Sequence, residues 1–241
     1  MKNFTTIFVL FLAFSGTLLP LHADETEYPT PYRSLDDYTI QEIHGWRCFV
    51  ERDLRADTEL CEKTLKLLEI RLYEITLHIP AEILEKLRTV KIWVEKNDPV
   101  NKSACYHPDL RWLREHGVLP EKVNSVEISC ARDFLNISRQ QPMVVLHELS
   151  HGFHHQFLPD GYENPEIAEA WRAAKEAGIY ENVLHNSGRR QIGYCMTNPM
   201  EYFAELTECY FGENDFYPFV RTELKEHDPR GYEIIRKMWE Q

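Results

Sequence analysis

The chain has 241 residues, of which 43% are apolar and 12% aromatic, a composition that excludes a disordered polymer. Its 39 acidic against 27 basic residues give a net charge of −12. That balance argues against a nucleic-acid partner, because phosphate backbones bind by counterion release to Lys and Arg.

The chain opens as a signal peptide does. Lys2 supplies a charged start, residues 7–19 are predominantly apolar, and Leu21-His22-Ala23 ends in a small residue. Cleavage near Ala23 is expected to leave a secreted protein, extracellular or periplasmic. No later stretch approaches the roughly 18 apolar residues of a membrane span, so no stable membrane anchor is expected. Six cysteines follow the leader: Cys48, Cys61, Cys105, Cys130, Cys195 and Cys209. An even count behind a signal peptide predicts up to three disulfide bonds. No Cys-x-x-Cys pair exists, which counts against a zinc cluster built on cysteine.

Residues 24–34 are polar, contain Pro29 and Pro31, and read as a disordered arm. Trp46, Cys48 and Val50 alternate with polar or outward positions and predict a strand. Cys61, Leu65, Leu68, Leu72, Ile75 and Ile79 then recur at helical spacing, one face of a long helix that Pro80 ends. Two further strands follow, at Val90, Ile92 and Val94 and at Val126, Ile128 and Cys130. Residues 97–122, with Pro99, Pro108, Gly117 and Pro120, read as a long connection holding one short helix over 109–115. From Pro142 onward the pattern is helical: residues 143–157, a helix opened by Asn164-Pro165 and stopped at Gly178, one opened by Asn198-Pro199, and a last one over 232–239. Strands first and helices later predict an α+β fold, a single domain over residues 35–241 with a small twisted sheet, an active-site helix and a helical C-terminal half.

The sharpest motif is His147-Glu148-Leu149-Ser150-His151, an H-E-x-x-H pattern inside a predicted helix. Residues four apart share a helix face, so both imidazoles can reach one zinc ion while Glu148 stands beside them as general base for a water that the ion activates. A catalytic zinc needs a third protein ligand. The metzincin spacing would put Gly at 154 and His at 157, where this chain has His154 and Phe157, so that subclass is excluded. The expected ligand is Glu201, with Glu205 one turn on as the acceptor that orients a ligand histidine. The competing reading makes Glu201 an ordinary capping-box glutamate behind Asn198-Pro199. His154, one turn beyond His151, would as a fourth ligand close the water position. His155 and His107 read as solvated or packing residues.

The run Tyr194-x-x-Thr197-Asn198-x-x-Glu201-Tyr202-Phe203-Ala204-Glu205, about 50 residues after His151, resembles the second half of the anthrax lethal factor catalytic domain and its relatives. The resemblance covers residues 141–216, with Cys195 and Pro199 departing from that family's run. It implies a zincin-like metallopeptidase of the gluzincin type, with one zinc ion held by His147, His151 and Glu201, Glu148 as general base, and Tyr194 stabilising the oxyanion. The bottom-up case for Tyr194 is that a neutral phenol just before the ligand-bearing helix can donate to a developing negative oxygen. His185 is a competing donor. The expected partner is a peptide or protein substrate. The rival class is a catalytically silent zincin that serves as a secreted binding module.

Overall fold

The computed structural model describes residues 28–240; the expected signal peptide lies outside them. Strands β1 (Tyr38–Ile43) and β2 (Trp46–Glu51) form an antiparallel hairpin. His44 and Gly45 between them both take positive φ, which matches a two-residue turn to the twist of the strands. Short α1 (Arg52–Ala56) leads into α2 (Thr58–His78), whose first turn is capped by Asp57 accepting from the Leu60 amide. Pro80 ends α2 and caps α3 (Ala81–Leu87). Then come β3 (Ile92–Val94), β4 (Ala104–Tyr106), α4 (Leu110–Glu115), β5 (Val126–Ile128), α5 (Ala131–Ile137) and α6 (Val144–Phe157). The remainder is α7 (Pro165–Ala177), a small hairpin of β6 (Val183–Leu184) and β7 (Arg190–Gln191), α8 (Pro199–Phe211), α9 (Arg221–His227) and α10 (Pro229–Trp239).

The fold class is α+β, as the order of strands and helices predicts. The main sheet runs β1-β2-β3-β5-β4, with β2, β3 and β5 parallel and both outer strands antiparallel to their neighbours. Its register sets Cys48, Ile92 and Val126 in one row and Val50, Val94 and Ile128 in another, on the face covered by helices. The middle row, Phe49, Trp93 and Glu127, points to the other face. One contiguous core carries the first face into α2, α3, α6 and α8. Trp239 closes it: its ring stacks on Phe153 of α6 at 4.3 Å and lies parallel to Phe203 of α8, and its Nε1 donates to Thr207. Among the described residues, no helix is long and apolar enough to cross a membrane.

The structure corrects four expectations. Strand β4, three residues between prolines, lies in the stretch expected to be a long connection, and β1, with little alternation, lies where no element is predicted. The expected disordered arm is pinned where it is described. Tyr32 donates from its amide to Gly117 O and from its phenol to Asp98, while Arg33 pairs with Glu51. No disulfide forms: all six cysteines are free. Cys48, Cys61, Cys195 and Cys209 are instead buried as small apolar side chains, and Cys209 Sγ donates to Pro218 O at 2.8 Å. Finally, α6 starts at Val144, leaving Pro142 in the preceding turn.

Candidate active site

α6 and α8 lie side by side, and the candidate site forms where their facing sides meet the end of the sheet. His147 and His151, one turn apart on α6, present their Nε2 atoms to each other at 3.2 Å. α8 begins just opposite because Asn198 caps it, accepting from the Glu201 amide at 2.8 Å, with Pro199 in the first turn. The Glu201 side chain crosses to the histidines: its Oε2 stands 3.1 Å from His147 Nε2 and 3.3 Å from His151 Nε2.

Two imidazole nitrogens and a carboxylate oxygen thus form a triangle with sides of 3.1–3.3 Å. Tetrahedral bonds of about 2.0–2.1 Å around zinc would separate such ligand atoms by about 3.3–3.4 Å. Facing nitrogens of this kind can share only a proton when no cation joins them, so both the spacing and the chemistry of the donor set fit a zinc ion. Electrostatics agrees in direction. Burial opposes ionisation of Glu201, yet its bonds to His147 and His151 hold its carboxyl well below the usual carboxylate range. Burial likewise opposes charging of His147, and Glu201 and Glu208 override it, raising its pKa well above the ordinary value.

The orienting acceptor is not the one expected. His147 Nδ1 is 2.6 Å from Glu208 Oε1, whereas Glu205 Oε1 is 3.9 Å away and Glu205 Oε2 accepts from Asn214. Burial raises the pKa of both carboxyls, with Glu208 adding to the effect at Glu205, while at Glu208 the bond to His147 works against it. Glu201, Glu205 and Glu208 follow a four-three spacing along α8, so the stripe was legible; only the reach of each member was not.

Glu148, buried on the same helix, borders the same cleft, as does Tyr194, which sits in a single 3-10 turn before α8. The Tyr194 ring is 6.5 Å from that of His147, and burial together with Glu201 raises its pKa, so the phenol keeps its proton at neutral pH. His185 is elsewhere, against Phe216 and Asp215. His154 turns into the core between Tyr162 and Phe203, and neither ring nitrogen has a hydrogen-bond partner among the described residues. It does not join the triangle.

Tyr162, Met200 and the whole of β4 complete the cleft wall. The strand just before the active helix, β5, is paired on both edges and so has no free main-chain groups to offer a substrate. β4 is the outer strand that borders the cleft. Residues 103 and 107 exchange backbone bonds with Ser129 and Ser125 of the β5 side, so in an antiparallel ladder the main-chain groups of Ala104 and Tyr106 point outward. Gly152 brings this strand close to α6: a Cβ there would stand 3.2 Å from the Tyr106 ring.

No protein-family model matches the chain, and no curated protein matches it. Among solved structures, a Pro-Pro endopeptidase from Paenibacillus alvei is similar over 74% of this chain and 90% of that one, at 24% identity and a TM-score of 0.43.

Proposed function

We propose that this chain is an exported zinc-dependent peptidase of the gluzincin type that hydrolyses peptide bonds in a peptide or protein substrate. A single observation carries the reading: the triangle of His147, His151 and Glu201, with Glu148 on the ligand-bearing helix and facing the same cleft. Zinc, when bound, supplies Lewis acidity toward water and toward a carbonyl oxygen.

The chain's own residues do the rest. Glu208 accepts from His147 Nδ1, which leaves the Nε2 lone pair aimed at the triangle. Glu148 takes a proton from the attacking water as its oxygen bonds to the carbonyl carbon, then passes that proton to the amide nitrogen as the C–N bond breaks. Tyr194 donates to the oxygen that gains negative charge. Ala104 and Tyr106 offer main-chain groups to an extended substrate laid along the edge of β4.

The run of residues around Glu201 makes the anthrax lethal factor catalytic domain the family this chain resembles. The silent-module alternative needs a missing base or a fourth protein ligand. Glu148 is present at the cleft, and His154 is turned into the core. Digestion of a peptide library tests the assignment: cleavage should vanish on chelation and return with zinc. Cleavage indifferent to the chelator, or no cleavage by zinc-loaded protein, would overturn it.

A further inference from the structure

Two more groups of metal-ligating side chains lie behind β4, on the sheet face turned away from α6. Glu95, Asp98 and Glu127 already have their cation, because the buried Lys122 ammonium bonds to Glu95 and stands 2.9 Å from Glu127 Oε1 and 3.7 Å from Asp98. The other group, which shares Glu127 with the first, has no cation of its own among the described residues. Positions 105 and 107 are two apart in extended chain, so both side chains leave on one face, and the register sets Glu127 directly opposite Cys105. Cys105 Sγ is 3.6 Å from His107 Nε2, which is 2.5 Å from Glu127 Oε2.

We propose that Cys105, His107 and Glu127 form a second metal site, for a thiophilic divalent cation such as zinc, which fastens the cleft-edge strand β4 to β5. Tetrahedral zinc places a thiolate sulfur and an imidazole nitrogen about 3.5 Å apart, close to the spacing already in place. The histidine and glutamate stand closer because a proton bridges them, and that proton gives way to the ion. Thiolate with imidazole selects zinc-class ions over the hard cations magnesium and calcium. Glu127 can serve because Lys122 holds only its Oε1, and the Lys122 charge is matched by Glu95 and Asp98. A pocket bordered by Asn101, Pro108, Asp109 and Trp112 reaches Cys105 and His107 from solvent and gives the ion a path. On binding, the Cys105 thiol proton and the proton shared by His107 Nε2 and Glu127 Oε2 are both released to solvent, and His107 keeps one on Nδ1; without metal, burial holds the thiol protonated. The site shares no ligand with the His147 triangle, so it stands or falls apart from the peptidase assignment.

Titration of the full chain with cobalt(II) tests it, because only a sulfur ligand produces a thiolate-to-cobalt charge-transfer band and the His147 triangle contains no sulfur. The band should form in the wild type and in His147→Ala/His151→Ala, vanish in Cys105→Ser, and require at least about tenfold more cobalt in His107→Ala. Cobalt should also protect Cys105 from alkylation in the native protein, read by peptide mass spectrometry. A wild type with no band, a band that survives Cys105→Ser, or equal alkylation with and without cobalt would overturn the second site.

Discussion

Glu208 holds His147 by its outer nitrogen, and such orienting carboxylates typically contribute about 10–100-fold to metal affinity. Glu208→Gln should therefore weaken zinc binding by about that factor in competition with a chelator, while Glu205→Gln, whose partner is Asn214, should change it far less. Equal effects of the two would remove the distinction. His154 makes a second residue-scale case. Burial, reinforced by His151 and His155, lowers its pKa from 6.5 to about 3. The folded protein therefore keeps it neutral where the unfolded chain binds a proton, so its contribution is intact above pH 6.5 and is lost as pH falls toward about 3. In chelated protein, His154→Leu should flatten the fall of unfolding free energy with acid across that window, by up to about 1.4 kcal/mol per pH unit. An unchanged slope would contradict this. At this scale the shared face of His147 and His151 was legible because helical spacing fixes which side chains lie together, whereas Glu201, on another helix, stood beside a capping reading that spacing alone does not decide. The choice between Glu205 and Glu208 was not legible, since it depends on how deeply α8 slides along α6.

Strand β4 shows why elements differ in legibility. Three residues between prolines carry too little alternation to stand out, and only pairing with β5 makes them a strand. The long helix α2 needed no such help, because six apolar positions at helical spacing and a terminal proline mark it. β4 matters more to the site. Ala104→Pro deletes an amide that points away from β5, a substitution that an edge strand tolerates. It should raise KM for extended peptides by about tenfold, roughly one hydrogen bond's worth, with zinc content unchanged. Unaltered KM would show that substrate does not pair along this edge.

Across the whole molecule, the sheet with its covering helices and the α7 to α10 half share one core, and the cleft lies where they meet. The α+β class was legible because strand-like and helical periodicities occupy different stretches of the chain. The cysteine count misled, because burial among apolar neighbours satisfies a thiol as well as a disulfide does. The net charge of −12 acts at this scale too. It should steer cationic peptides inward, so their kcat/KM should fall as salt is raised while that of matched anionic peptides rises; identical salt responses would exclude steering. The central claim is that Glu148 moves the proton in a zinc-dependent hydrolysis, and comparing wild type with Glu148→Gln for zinc content and peptide turnover tests it most directly. The variant and the wild type should each hold about one zinc in the His147, His151 and Glu201 triangle, and the variant should lose about two to four orders of magnitude in rate. Undiminished turnover by the zinc-loaded variant would contradict the account.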